Sequence, residues 1–302
     1  MDLAEEYRLS QYEERGPLNG NERVRLVRNS ITGKIAVKKC MDIGQKPVYD
    51  FLKTHCSRYT PEIYECVENA QQLIVIEQYI EGQNLEDFLS EGRITEKESC
   101  GIICSLCRAL EPLHTADPPV ACRDLKPENI MVTPQNSVML IDFDIARMVS
   151  PGRQRDTVVM GTEGFAAPEQ FGRRQSDARS DIYALGTILN YCILQKFPVE
   201  KIVDGKLGDI VRRCIAVNPE ERYQSVAELR YEIKNISPSY RGCMEVKKFR
   251  DWKIPFTEKS FIISYDGTVK AGIKDLTKAQ VTQSGNTIPF WILFRERLTV
   301  QS

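Results

Sequence analysis

A cluster of charged and amide side chains lies in the stretch ACRDLKPENIM, residues 121–131. An arginine, two carboxylates, a lysine and an asparagine lie within seven consecutive positions, 123–129. Pro127 disfavours the helical conformation at Lys126, and the following NIMV is typical of a buried strand. The polar side chains should therefore project from a rigid turn, where binding and catalytic groups are often found. A solvated surface loop is the alternative interpretation.

A further carboxylate follows the next apolar run. Asp142 lies 18 positions after Asp124, directly behind VMLI, so both acids are expected to leave neighbouring strand ends. Two acids and an amide at such an edge can hold Mg²⁺ and align a hydroxyl nucleophile. Phosphoryl transfer needs this arrangement, because its transition state is stabilised mainly by positioned cations and an aligned acceptor oxygen.

Two kinds of periodicity divide the elements that must position these groups. Residues 1 to about 80 predict a small antiparallel sheet with one helix, including a hairpin over 22–40 with its turn at 29–33. After Gly82 the pattern becomes helical, apart from a short hairpin formed by NIMVT and SVMLIDF. The predicted helices are 84–90, 95–115, 177–197, 206–217 and 224–235.

The composition is that of an ordinary globular protein of 302 residues. The net charge of −1 gives no reason to expect a nucleic-acid partner. The longest late apolar run, IPFWILF at 288–294, is too short to span a membrane, and the acidic start does not resemble a signal peptide. We therefore expect a cytoplasmic protein without a membrane span.

The ten cysteines could form disulfides or a metal site. Cys100, Cys104 and Cys107 recur at helical spacing among apolar residues, which favours reduced, buried thiols over metal ligands. Beyond about residue 237 the pattern changes again. SFIISYDGTVKAGI predicts two strands around an Asp266-Gly267 turn, as a partner-binding module or a packing extension.

Three motifs in order carry a family resemblance: CRDLKPEN, IDFD and AAPE. They are similar to the catalytic loop, the DFG motif and the APE motif of eukaryotic-type (Hanks-type) serine/threonine protein kinases. The resemblance covers about residues 7–236, and GTEGFAAPEQFG is similar to bacterial members.

The resemblance implies an α+β, bilobal protein-kinase-like fold. It has a small antiparallel-sheet N-lobe with one helix (1–81), a mainly helical C-lobe (82–239) and a β-rich C-terminal extension (240–302). It also implies transfer of the ATP γ-phosphate, with Mg²⁺, to serine or threonine of a protein substrate. Self-association for autophosphorylation is a further expectation.

Site residues follow position by position from the resemblance. Asp124 is expected to orient the acceptor hydroxyl and take its proton, and Lys126 to neutralise the γ-phosphate. The resemblance gives Asn129 and Asp142 the role of Mg²⁺ ligands. The expected nucleotide contacts are Lys38 of AVK on the phosphates, the backbone of Gln78 and Ile80 on adenine, and Asn84 near the ribose, with Glu77 as gatekeeper.

Several supporting contacts are also implied. Asp181 should tie the catalytic loop from beneath, and Glu169 should pair with Arg222. Thr162 should bond Asp124 and Lys126. Phosphate on the segment 142–169, first of all on Thr157, would supply an anion for Arg123.

Four features depart from the family pattern. The glycine-rich loop has Pro17, Asn19 and Glu22 at its glycine positions. The helix glutamate that should hold the strand lysine aligns with Val48, and Asp50 is a weak substitute. The other two changes are Cys122 in place of histidine and Asp144 in place of the DFG glycine.

These departures leave two alternatives open. A pseudokinase acting as a nucleotide-binding or scaffolding module would tolerate them, yet the groups that touch phosphate, metal and acceptor are all present. Small-molecule kinases share the fold and both aspartates, but they generally lack the APE segment and the SDIYALG helix found here. A protein substrate is therefore the better hypothesis.

Overall fold

The computed structural model describes residues 2–18, 20–55, 57–149, 161–171, 176–236, 280–282 and 291–293. The chain divides into two compact units, Met1–Val246 and Lys247–Ser302. The first unit contains a sheet-based lobe followed by a mainly helical lobe, which is the arrangement that the sequence predicted.

The first lobe is a five-stranded antiparallel sheet in the order β1-β2-β3-β5-β4. Its strands are β1 (Tyr12–Leu18), β2 (Asn21–Asn29), β3 (Ile35–Met41), β4 (Ile63–Glu68) and β5 (Leu73–Gln78). The predicted hairpin over 22–40 is confirmed as β2 and β3, which pair from Val24 with Lys39 to Arg28 with Ile35. Helix α2 (Lys46–Thr54) buries Val48, Tyr49 and Leu52.

A second helix in this lobe corrects the prediction of one helix. Helix α1 (Leu3–Ser10) has no buried residue, so the sequence has no apolar stripe that would reveal it. A capping box begins it: the Glu5 backbone N–H donates to the Asp2 side chain, and the Asp2 N–H donates to the Glu5 carboxylate. The capping box is therefore the sequence signal that indicates this helix.

The second lobe is built on five helices among the described residues. They are α3 (Leu85–Ser90), α4 (Glu96–His114), α5 (Ala178–Leu194), α6 (Gly205–Cys214) and α7 (Val226–Ile236). All five agree with the predicted spans to within a few residues. Their apolar stripes meet in one core, because α4 packs on α5 and α7, and α6 packs on both α5 and α7.

Short strands on this helical core carry the polar loops. The predicted hairpin is confirmed as β8 (Ile130–Val132) and β9 (Val138–Leu140), in a three-stranded sheet with β6 (Gln83–Asn84). A separate ladder pairs β7 (Val120–Ala121) with β10 (Arg147–Met148). The segment 121–131 therefore begins and ends on paired strands, and the segment 141–148 runs from the end of β9 to β10.

The cysteine stripe of α4 is part of the core. Cys100, Cys104 and Cys107 are buried, and the eight cysteines among the described residues are all free thiols. Burial raises the pKa of the Cys107 thiol well above its ordinary value. These side chains serve as small apolar residues, as predicted.

The second unit is described only at β11 (Gln280–Thr282) and β12 (Trp291–Leu293), which pair antiparallel. The predicted strands around Asp266 and Gly267 lie outside the described residues. Across the part of the chain that the structure describes, no helix combines the length and apolarity needed to cross a bilayer.

Candidate active site

The loop 121–131 is fixed from below by α5. The Asp181 carboxylate accepts hydrogen bonds from the backbone N–H groups of Cys122 and Arg123, each at 2.8 Å. His114 Nε2 contacts the same carboxylate at 2.8 Å. Asp181 is 1% exposed, so these bonds are shielded from water. The predicted role of Asp181 as the anchor of this loop is confirmed.

The loop brings three predicted site residues together around one carboxylate. Lys126 Nζ lies 2.9 Å from Asp124 Oδ2, and Asn129 Nδ2 donates to the same oxygen at 3.1 Å. The Thr162 hydroxyl donates to Asp124 Oδ1 at 2.8 Å and accepts from Lys126 Nζ at 3.1 Å. The expected contacts of Thr162 with Asp124 and Lys126 are thus confirmed, and the Asp124 carboxylate has a fixed orientation.

Asp142 lies next to this group. The Ile141 N–H donates to the Asn129 carbonyl oxygen at 2.9 Å, which joins the end of β9 to the loop. Asp142 has a φ of 66° and Arg123 a φ of 71°, a left-handed conformation that non-glycine residues seldom adopt. Such strained residues concentrate at functional sites, where the surrounding structure holds them.

The strand lysine beside Asp142 is Lys39, which corrects the assignment of Lys38. Lys39 Nζ lies 3.2 Å from Asp142 Oδ1, and its side chain is 7% exposed. Lys38 is on the opposite face of β3, where its Nζ lies 2.7 Å from Glu14 Oε1 and its side chain is 25% exposed. Lys39 therefore occupies the position beside Asp142 that was expected of Lys38.

The strand period explains why the two lysines separate. Lys39 pairs with Val75, which belongs to the main core, whereas Lys38 pairs with Ile76, which belongs to a smaller apolar cluster with Val27. A shift of one residue in a strand moves a side chain to the other face. AVK and VKK both fit the motif spacing, so only the packing of the sheet distinguishes them.

Three carboxylates surround the Lys39 ammonium. Besides Asp142, Glu77 Oε1 lies at 3.3 Å and Asp144 Oδ1 at 3.4 Å. Burial by itself lowers the pKa of Lys39, but these neighbours outweigh it and raise that pKa well above its ordinary value. Burial also raises the pKa of Asp142, yet Lys39 and the hydrogen bonds around Asp144 reverse the sign and lower it. Both groups are therefore charged at neutral pH.

Helix α2 reaches this cluster through a tyrosine. The Tyr49 hydroxyl donates to Asp144 Oδ1 at 2.9 Å, and Tyr49 is fully buried. Val48 is buried in the core, as an apolar residue should be. Asp50 pairs with Lys46 at 2.8 Å on the exposed side of the helix. Asp50 therefore does not replace the missing helix glutamate at Lys39.

The segment 77–84 contributes backbone and capping groups. The Gln78 N–H donates to the Glu62 carbonyl oxygen at 2.8 Å, so an adenine would have to use the Gln78 carbonyl oxygen instead. Gln78 and Ile80 also line a cavity of about 730 Å³ whose walls do not include Lys39 or Asp142. The Asn84 side chain caps α3 by accepting from the Asp87 N–H at 2.8 Å. Its predicted contact with a ribose stays a prediction.

The hairpin formed by β1 and β2 differs from a glycine-rich loop. Pro17 and Glu22, two of the expected glycine positions, lie inside β1 and β2, and the strands stay paired as far as Leu18 and Asn21. Residue 19 lies outside the described residues, and so does the predicted phosphosite Thr157. Gly20 has a φ of 74°, which a tight turn between the strands requires.

The donor set fits a nucleotide-bound divalent cation. Asp142 is anionic, and the Asn129 amide nitrogen donates to the Asp124 carbonyl oxygen at 3.0 Å, so the amide oxygen is the atom that Asn129 offers to a cation. Carboxylate and amide oxygens are ligands that Mg²⁺ accepts. Lys39 adds a fixed positive charge at the same place.

A buried ion pair joins the segment around residue 169 to the end of the second lobe. Arg222 Nη1 and Nη2 lie 2.7 and 2.8 Å from the two Glu169 oxygens, with side-chain exposures of 0% and 4%. Glu169 also accepts from the Ser180 hydroxyl, and Arg222 donates to the Ala216 carbonyl oxygen. The predicted pair is confirmed.

We expect Glu169→Gln to lower the free energy of unfolding by about 3 kcal/mol and the thermal midpoint by about 10 °C, because the Arg222 charge stays buried with its bidentate partner lost. Thermal unfolding of the full chain measures this. Glu220→Gln, which breaks an exposed pair with Arg179, is the matched control and should change stability by less than about 0.5 kcal/mol. Equal effects of the two variants would contradict the prediction.

Comparison with known proteins places residues 23–246 in the protein kinase domain family. Serine/threonine-protein kinase PknB of Mycobacterium tuberculosis (strain H37Rv) is 30% identical over 189 residues, covering 54% of this chain and 30% of that protein. Serine/threonine-protein kinase D of Synechocystis sp. is 29% identical over 227 residues, covering 68% and 43%. PknB of Mycobacterium leprae is 26% identical over 236 residues, covering 66% and 38%. The chain therefore spans less than half the length of these curated relatives.

Proposed function

Because the chain belongs to the protein kinase family, we propose that it is a serine/threonine protein kinase that transfers the γ-phosphate of ATP, bound with Mg²⁺, to a protein hydroxyl. The observation that carries the proposal is the fixed Asp124 carboxylate, which Lys126, Asn129 and Thr162 hold beside Asp142 and Lys39. Relatives with the names of serine/threonine kinases support this choice of acceptor.

Each residue of the site has a separate role in phosphoryl transfer. Asp124 orients the acceptor hydroxyl and takes its proton, and Lys126 neutralises charge on the transferred phosphoryl group. Lys39 contacts the α- and β-phosphates, in the role first given to Lys38. Asn129 and Asp142 hold Mg²⁺, which neutralises charge on the phosphates when it is bound. Positioning and electrostatic stabilisation supply most of the rate in this class of reaction.

The nucleotide base is assigned to the segment between the lobes. The Gln78 carbonyl oxygen and the Ile80 backbone hold adenine, and Asn84 lies towards the ribose. We assign the N-lobe to 1–81, the C-lobe to 82–239 and a separate extension to 240–302. The β1–β2 hairpin covers the phosphates with fewer backbone N–H groups than a glycine-rich loop, so we expect modest ATP affinity.

A protein is the proposed substrate. The described part of the AAPE segment, residues 161–171, is tied to the catalytic loop: the Gln170 side chain donates to the Arg123 carbonyl oxygen at 2.7 Å, and Thr162 bonds Asp124. A segment fixed beside the proton acceptor in this way gives a polypeptide a surface on which to dock. A second copy of the chain is one such substrate, through autophosphorylation.

The test is incubation of the purified full chain with Mg²⁺, labelled ATP and a generic basic protein, followed by identification of the labelled amino acid. We expect phosphoserine or phosphothreonine that depends on Mg²⁺. In parallel, Mg²⁺–ATP should raise the thermal midpoint of the wild type more than that of Asp142→Asn. Asp209→Asn, which changes an exposed aspartate of α6, is the control and should keep the wild-type shift.

Two outcomes would overturn the proposal. A wild type that shows the thermal shift but labels neither itself nor the added protein is a nucleotide-binding pseudokinase. A wild type that shows neither is a scaffold without a nucleotide site.

A further inference from the structure

We propose that Glu77 is the positioning residue for Lys39 and replaces, from the end of β5, the carboxylate that the family supplies from a helix. The inference rests on the proposed function, since it concerns the lysine that contacts the phosphates. In protein kinases an ion pair between the strand lysine and a helix glutamate must be formed for activity. In this chain the carboxylate comes from the sheet.

Distance and burial support the assignment. Glu77 Oε1 lies 3.3 Å from Lys39 Nζ, with side-chain exposures of 6% and 7%. An isolated buried carboxylate is costly, so a glutamate among apolar strand residues needs a charged partner. The two residues before it on β5, Val75 and Ile76, are fully buried, and the charged group in contact with the Glu77 carboxylate is Lys39.

Strand register brings the two side chains to one face. Val37 of β3 pairs with Glu77, and Lys39 pairs with Val75, so Glu77 and Lys39 are diagonal neighbours on the same face of the sheet. Long side chains interact across such a diagonal. Because β3 and β5 are hydrogen-bonded to each other, the ion pair does not depend on where α2 lies.

Helix α2 has a different connection to the site. Its carboxylate, Asp50, is engaged with Lys46, and its side chain nearest the cluster is Tyr49, which bonds Asp144. The helix therefore acts on the residue that follows Asp142 and Phe143 rather than on the lysine. A helix glutamate is not needed when Glu77 holds Lys39.

Glu77 also counteracts the electrostatic attraction of the Lys39 ammonium to Asp142 and Asp144. Asp142 Oδ1 and Asp144 Oδ1 lie 3.2 and 3.4 Å from the same ammonium nitrogen. Without Glu77, the ammonium would be drawn towards the carboxylate that holds Mg²⁺ and away from the phosphates. Loss of Glu77 should therefore weaken ATP binding and also raise the Mg²⁺ concentration needed for activity.

The test compares Glu77→Gln with wild type in the full chain. The glutamine keeps the shape and hydrogen-bonding capacity of the side chain but removes its charge, so the chain should still fold. We expect the KM for ATP to rise about tenfold, because the bond of Lys39 to a carboxylate becomes a weaker bond to a neutral amide, and the Mg²⁺ requirement to rise with it. The KM for the protein substrate should change by less than about twofold. A lower thermal midpoint with unchanged KM for ATP and unchanged Mg²⁺ requirement would show a structural role only and overturn the proposal.

Two further variants sharpen the comparison. Glu14→Gln removes the carboxylate of the neighbouring pair with Lys38 and should leave the KM for ATP unchanged. Asp50→Asn removes the carboxylate of α2, and a rise in the KM for ATP in this variant but not in Glu77→Gln would also overturn the proposal.

The proposed function itself fails if wild type has no turnover, which is an outcome separate from those above. ATP-induced thermal shifts of wild type and Glu77→Gln then test the ion pair without catalysis, and equal shifts would count against it.

Discussion

Asp124→Asn is expected to reduce turnover at least about a hundredfold while leaving the KM for ATP nearly unchanged. The thermal midpoint should fall by a few degrees, because the asparagine NH2 group replaces Oδ2 opposite the donors of Lys126 and Asn129. Asparagine has the shape of aspartate, and its amide oxygen can still accept from the Thr162 hydroxyl, as Asp124 Oδ1 does at 2.8 Å. It cannot take the proton of an acceptor hydroxyl. Initial rates of labelling of a basic protein at saturating ATP measure the effect.

The same loop supplies the matched control. Glu128 is an exposed carboxylate four positions from Asp124, so Glu128→Gln removes one negative charge from the loop without touching the buried cluster. It should retain turnover within about twofold. If Glu128→Gln were as inactive as Asp124→Asn, or Asp124→Asn remained active, Asp124 would not be the proton acceptor.

Lys39→Met is expected to lower kcat/KM for ATP at least about a hundredfold, whereas Lys38→Met should change it by less than about threefold. Lys39 is the buried cation beside Asp142, and Lys38 is a partly exposed residue paired with Glu14. Removal of the Lys39 charge also leaves Glu77, Asp142 and Asp144 close together without their shared cation. Steady-state kinetics with varied ATP separate the two variants.

Folding must be monitored in this comparison, because Lys39→Met exposes three carboxylates to mutual repulsion. Rates should be measured well below the thermal midpoint of each variant. Lys39→Arg keeps the charge and is expected to fold with a smaller loss of activity than Lys39→Met, since arginine differs from lysine in shape and hydrogen-bonding geometry. An inactive Lys38→Met beside an active Lys39→Met would return the phosphate contact to Lys38.

Both predictions bear on the pseudokinase alternative. Three of the four departures, at the helix glutamate, the DFG glycine and the glycine-rich loop, indicate a degraded site when they are considered one by one. In the structure, the departure in α2 and the departure at the DFG glycine are connected. Asp144, at the glycine position, contacts both Lys39 and Tyr49 of α2. With Glu77 they form one connected ionic cluster, which favours a rearranged active site over a lost one.

The sequence alone determined the parts that depend on local pattern. Apolar periods located the five helices of the second lobe, because each buries one stripe in a common core. The order of the motifs carried the family resemblance, and the resemblance in turn implied the role of the loop around Asp124, its anchor Asp181 and the Glu169–Arg222 pair. Proline and strand patterns placed that loop before the β8–β9 hairpin. The helices and the hairpin repeat or adjoin within a few residues, so their signal is visible in the sequence.

Tertiary structure decided which lysine and which carboxylate meet. Lys38 and Lys39 are adjacent in sequence and differ only in the face of β3 on which they lie, and that face is set by pairing with Val75 or Ile76 of β5. In the sequence, Glu77 is a single acidic residue at the end of an apolar run. No residue close to it in the chain indicates that it faces Lys39. An ion pair between residues 38 positions apart depends on strand register, and register is fixed by which faces the whole sheet buries.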